Sequence, residues 1–242
     1  MADAAPPPPR PRGRPSGPTA RGIETRRRLY DAAVSLIAAR GWQQTTLRDV
    51  AAEAGVSVGL LYRYFPSKRA VVLALYDELS ADYAERAKQM PAGRWRDRFL
   101  FALTTSLDVL RPHRDTLASL VSVLVGDAND GLFAPSTAFS RVLVQGVFID
   151  AVVGATDTPR GALASTLGRL LYLSHLTIVL WWLLDKSPSQ RATGAFVVLV
   201  ERALPLAATA LRVPGVPGLL HAADALIRES LFGEPAEGEP RG

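Results

Sequence analysis

Residues 45–69 read TTLRDVAAEAGVSVGLLYRYFPSKR, and this run decides the fold. Thr46 is placed to cap a helix, and Asp49, three positions on, can answer it in a short form of the capping box. Leu47, Val50, Ala51 and Ala54 then recur at helical spacing. Gly55 supplies the left-handed residue that ends the helix, and Ser57 caps a second short helix over residues 58–64. Two short helices on a tight turn form a helix-turn-helix, a device that lays its second helix in the major groove of DNA. The pattern therefore predicts DNA binding.

Working outward, residues 22–40 predict a preceding helix with Ile23, Leu29, Ala33, Leu36 and Ile37 on one apolar stripe, stopped by Gly41. Pro66 and Ser67 open a fourth helix, which Pro91 and Gly93 break. Everything after is helical in pattern: 95–110, 113–125, 136–153, 161–184, 190–212 and 219–232, with Pro and Gly between. No alternating strand pattern and no internal repeat is present. The fold expected is all-α. It has a basic Pro/Arg-rich tail without a core (1–19), a three-helix DNA-binding domain (20–68), a larger helical domain (69–232) and a flexible acidic tail (233–242).

The charge distribution separates the ends. Residues 1–70 carry 12 Lys and Arg against 5 Asp and Glu, and the remainder 16 against 18. A cationic end on a near-neutral body is the electrostatic mark of nucleic-acid binding by one domain. There are no cysteines and only three histidines, His113, His175 and His221, far apart in the chain. Disulfide and thiol chemistry are excluded, and no metal cluster or cofactor is expected. No phosphate-binding loop, dinucleotide fingerprint or nucleophile motif occurs, so no catalytic residue is assigned. Residues 127–131, DANDG, hint at a calcium loop, but the position that would need a bidentate Glu is Ala138. The N-terminus lacks an apolar signal segment. The most apolar run, 170–184, falls short of the roughly 20 residues that span a bilayer. A buried helix and a cytoplasmic protein are expected.

On the second helix of the motif, Val58, Gly59, Leu60, Tyr62, Arg63 and Tyr64 are the candidate reading positions, with Ser57 at the helix start. Gly59 lets the backbone approach phosphate or base closely. Tyr62 can donate to a phosphate and press its ring on sugar or a thymine methyl. Arg63 can contact phosphate or guanine. Tyr64 and Phe65 are also candidates for the core, as is Leu61. In the tail, Arg10-Pro11-Arg12-Gly13-Arg14-Pro15 resembles the core of an AT-hook. Arg12 and Arg14, held extended by flanking prolines, suit a narrow A·T-rich minor groove. A diffuse basic arm is the competing reading.

Gly41, Thr45-Thr46, residues 49–57 (DVAAEAGVS) and residues 59–68 (GLLYRYFPSK) together resemble the N-terminal domain of the tetracycline-repressor (TetR) family. Leu60 stands where a Thr is common in that family, and Val58 where the residue is often polar. The resemblance implies that Tyr62 and Tyr64 touch backbone and groove wall. It also implies that Lys68 binds phosphate, and that Thr46 and Arg48 hold a phosphate and reach a base. It implies a homodimer on a palindromic operator, paired through two long helices, here 161–184 and 190–212. Ala192, Thr193, Gly194 and Ala195 are small enough for close helix approach. Helices between residues 95 and 153 would enclose a pocket for a small, largely apolar effector. Phe99, Leu103 and His175 are the candidate contacts. Trp181 and Trp182 could stack on a ligand or belong to core or interface. The function expected is a ligand-released repressor. The competing reading is an architectural DNA-binding protein that uses the same domain and tail without an effector.

Overall fold

The computed structural model describes residues 19–126 and 131–233. Among these residues the regular structure is helical throughout. Thr19 caps α1 (Ala20–Arg40) by accepting from the Gly22 amide at 3.2 Å. Thr46 and Asp49 form the expected capping box on α2 (Leu47–Glu53). Gly55, at φ +63°, makes the turn. Ser57 caps α3 (Val58–Tyr64) through the Leu60 amide, and Ser67 caps α4 (Lys68–Ala87) through that of Ala70. Leu29, Ile37, Val50, Leu61, Phe65, Val71 and Leu75 close the core of this first unit. The first half of α4 belongs to that core. Its second half continues the same buried cluster through Leu79, Tyr83 and Ala87, where α4 packs on α5 and α8.

The larger unit begins with α5 (Trp95–Leu110). The single helix expected over 113–125 is divided. A 3₁₀ turn at Arg111–His113, containing Pro112, leads to α6 (Arg114–Ser119), and α7 (Val121–Gly126) follows. At the division Ser119 Oγ donates to the Thr116 carbonyl at 2.8 Å, a local bond that competes with the helix ladder, while Leu120 is fully buried. A 3₁₀ turn at Pro135–Thr137 opens α8 (Ala138–Val153). Then come α9 (Leu163–Leu184), α10 (Arg191–Ala210) with Pro205 inside it, and α11 (Val216–Phe232). The α9–α10 corner is tied by Asp185. Its Oδ2 accepts from the Thr193 amide and hydroxyl at 2.9 and 2.7 Å, and its Oδ1 from the Ser187 amide at 2.8 Å. These bonds hold its carboxyl below the usual range.

The center of the larger unit is the α8–α9 pair. At their crossing a Cβ on Gly168 would lie 2.6 Å from Ile149 Cα, so only glycine permits this approach. α9 is therefore packed largely into the core. Ala164, Leu167, Leu171, Tyr172, His175, Ile178 and Trp182 are all buried, and only an outer edge with Trp181 and Leu184 is open. The apolar run 170–184 also proves to be part of a longer apolar helix of 22 residues. Pro135–Val153, Leu163–Leu184 and Pro188–Ala210 are each long and apolar enough to cross a membrane, by length and composition alone. Packing separates them: 33% and 44% of the apolar window is buried in the first two, and 11% in the third.

Candidate nucleic-acid interface and internal cavity

The helix-turn-helix presents one face outward. Thr46, Arg48, Ser57, Gly59, Tyr62 and Arg63 are exposed there, with Tyr62 at 51%. Ser57 accepts the Leu60 amide and keeps its hydroxyl proton to donate outward. A Cβ on Gly59 would meet nothing within 4 Å, so nothing inside the protein requires glycine at this position. Val58, Leu60 and Tyr64 are half-buried, and Val58 and Tyr64 pack against the core. Tyr64 turns its hydroxyl toward the start of α1, near Gly22. Leu61 and Phe65 are buried as expected.

Two expected phosphate contacts have other primary work. Lys68 Nζ donates to the carbonyls of Trp42 and Thr45 at 2.6 and 3.0 Å and sits 4.0 Å above the Trp42 ring. Partial burial lowers its pKa. It clasps the start of α4 to the loop between α1 and α2, leaving one N–H uncommitted. Thr46 Oγ1 accepts from the Asp49 amide and donates to Asp49 Oδ2 at 2.7 Å, so its proton belongs to the cap. Sequence reasoning missed a second clasp: Arg28 Nη2 donates to the Ala54 carbonyl, tying α1 to the turn. Arg12 and Arg14 lie outside the described residues.

In the larger unit a cavity of about 420 Å³ lies among α4, α5, α6, α7, α8, α9 and α11. Its walls are almost wholly apolar, including Leu79, Leu110, Leu117, Leu124 and Leu176. His175 lines it, as expected. Phe99 and Leu103 do not, which corrects the sequence assignment. They share a stripe with Ser106 and Leu110, which do line it. The difference is position along α5: Phe99 packs on Phe148 with ring centers 6.0 Å apart, and the cavity begins at Ser106. Ser106 Oγ and His175 Nε2 are 2.7 Å apart. Burial pushes the His175 pKa down to about 3, so the ring is neutral. His175 Nδ1 and the Tyr83 hydroxyl are buried without a hydrogen-bond partner among the described residues. Ser106 and Tyr83 were missed because a lone polar residue on an apolar stripe carries no sequence signal of what it faces. Trp182 is buried with Arg114 over its ring, and Trp181 is half-exposed against Phe196; neither lines the cavity.

Residues 29–75 match the model of "Bacterial regulatory proteins, tetR family". The helix-turn-helix unit is of the tetR family. It is 26% identical over 180 residues to the HTH-type transcriptional repressor KstR of Rhodococcus jostii, covering 74% of this chain and 82% of that protein. It is 34% identical over 61 residues to the fatty acid metabolism regulator protein of Bacillus subtilis; that match covers 25% of this chain and spans only 31% of the regulator's length. In fold it is similar to a tetR-family transcriptional regulator from Streptomyces coelicolor. The TM-score is 0.58 at 21% identity, over 89% of this chain and 92% of that one.

The chain leaves a large apolar surface open in the single protomer. Leu206 on α10 is 74% exposed, and Leu219 and Leu226 on α11 are 71% and 66% exposed. Val198 and Leu199 extend the patch along α10. The open apolar helices are thus α10 and α11, where the sequence pointed to α9 and α10. α11 is fastened to α9 by the Arg169–Asp224 ion pair and by the Thr166 Oγ1–His221 Nδ1 contact at 3.0 Å.

Proposed function

We propose that the protein is a ligand-responsive transcriptional repressor that binds a palindromic operator as a homodimer and is released by a small, largely apolar effector. The observation that carries the DNA half is the outward face of α3, which offers Gly59, Tyr62 and Arg63 from a helix-turn-helix capped at each start. Arg48 and Ser57 flank it and contact the backbone. Val58 and Leu60 border the groove, and Tyr64 braces α3 on α1. Lys68 and Thr46 hold the reading surface in shape, each with phosphate contact as a secondary role. Arg12 and Arg14 follow the adjacent minor groove. We place the domain boundary at the start of α4, although α4 packs on both sides of it.

Dimerisation through α10 and α11 covers the exposed leucines. Two-fold symmetry then sets the two α3 helices to read half-sites about one helical turn, roughly 34 Å, apart. Coupling has a physical route. The cavity touches α4 through Leu79 and Tyr83 and α6 through Leu117, and these two helices also pack on α1. A ligand that fits better when α4 and α6 are displaced shifts the protein toward that state, by no more than its differential affinity for the two states. The protein acts in the cytoplasm, where bacterial DNA lies, and is a binding protein rather than an enzyme. Selection of bound sequences from random DNA tests the reading: a dyad-symmetric consensus is expected, and enrichment of nothing, or of a site without symmetry, refutes it.

A further inference from the structure

The polar groups on the cavity wall are Tyr76, Ser80, Tyr83, Ser106, His175 and Thr177. No Lys, Arg, Asp or Glu is among the described lining residues. Two of the six are already paired inside the protein: Thr177 Oγ1 donates to the Leu173 carbonyl at 3.0 Å, and Ser106 meets His175 Nε2. Two carry unpartnered atoms, the Tyr83 hydroxyl and His175 Nδ1. Both residues are nearly inaccessible, at 3% and 4% exposure. Their rings lie parallel, 4° apart in plane and 6.3 Å between centers. Phe148 packs on the His175 ring at 4.7 Å. A buried polar group without a partner is costly, on the order of 1–3 kcal/mol, and a ligand that supplies the partner recovers that free energy.

Resting on the effector reading above, we propose that the cavity takes a neutral, apolar molecule with one uncharged hydrogen-bonding group, an alcohol or a carbonyl, anchored on the Tyr83 hydroxyl and His175. The volume of about 420 Å³ lies in the range of small-molecule sites. The apolar walls take the body of the molecule. The neutral imidazole and the phenol take its head, because either can meet an uncharged oxygen. A carboxylate is rejected, since an ionised group moved into this wall has no cation to meet it. Two arginines of the same unit direct guanidinium N–H groups to backbone carbonyls. Arg141 donates to the Leu132 and Ala134 carbonyls, and Arg114 caps the end of α9 at the Trp182, Leu183 and Asp185 carbonyls. Neither lines the cavity.

The test is isothermal titration calorimetry on the full chain at pH 8 with two probes of equal length, 1-decanol and decanoate. 1-Decanol is expected to bind at least about ten-fold more tightly. Tyr83→Phe removes only an unpartnered hydroxyl, so the variant should melt no lower than the parent. It should weaken 1-decanol by about three- to ten-fold and leave any weak decanoate binding unchanged. Decanoate binding as tightly as 1-decanol, or more tightly, overturns the neutral class while leaving the cavity as a ligand site. Equal 1-decanol affinity in parent and Tyr83→Phe overturns the anchor. If neither probe binds a protein that still binds its selected operator, the effector reading itself fails, and this inference with it.

Discussion

The two halves of the chain are built by different means. The DNA-binding unit is stitched by short-range polar bonds: Thr19, Thr46, Ser57 and Ser67 each cap a helix within three residues of themselves. The larger unit has few such stitches; α8, α9 and α11 begin without a side-chain cap bond. It is held by apolar packing between residues far apart in the chain, as at Gly168 on Ile149. The first half could be read locally. In the second, one apolar pattern is common to a core helix, an exposed apolar face and a stretch long enough to cross a membrane.

The largest expected effect lies on the exposed face of the second half. Leu206→Glu with Leu226→Glu places two charges on surface already open in the protomer, so the fold should survive. Sedimentation should show a monomer, and operator affinity should fall about 100-fold or more as the second half-site is lost. A variant that stays dimeric would move the interface off α10 and α11.

The interior of the same half predicts a distinctive acid response. Above pH 6.5 His175 is neutral in both folded and unfolded chains, and its environment is fully tolerated. As pH falls below 6.5 the unfolded chain takes up a proton that the folded protein refuses until about pH 3. Stability should therefore fall through that window by up to about 1.4 kcal/mol per pH unit from this group. His175→Gln should flatten the curve, as read by chemical denaturation at pH 7.5, 6, 5 and 4. Parallel curves for parent and variant would show that His175 is not held neutral.

In the first half, Lys68→Ala should lower the stability of the DNA-free protein by about 1–3 kcal/mol, because the Trp42 and Thr45 carbonyls lose their partner. Unchanged melting, together with a salt dependence of DNA binding reduced by about one phosphate, would restore the primary role that family resemblance implies. A smaller effect sharpens the contrast further. Gly59→Ala fills open space on a helix and should stabilise the fold by about 0.5–1 kcal/mol while weakening operator binding, since the close backbone approach is lost. A variant that gains stability and keeps full affinity would place Gly59 outside the interface.

From sequence alone the helix-turn-helix could be located almost to the residue, because capping boxes, αL glycines and 3.6-residue stripes act over one or two turns. The same information identified His175 as a polar residue on an apolar helix. It misplaced Phe99 and Leu103, whose stripe was right but whose position along α5 depends on where Phe148 lands from far along the chain. It also gave no sign of the contacts Lys68 makes inside the protein, because nothing in the spacing shows that Trp42 and its carbonyl come within reach of the ammonium.

By itself, then, the sequence determined an all-helical chain, the DNA-reading element and its capped helices, and a cationic end on a near-neutral body. Each of these follows from interactions between near neighbours or from composition. Only the tertiary structure decided that α9 is core, that α10 and α11 carry the open apolar face, and that Tyr83, Ser106 and His175 share one cavity wall. Those outcomes depend on which distant surfaces meet. Hydrophobic burial is non-directional, so an apolar stripe states that it must be covered without stating by what.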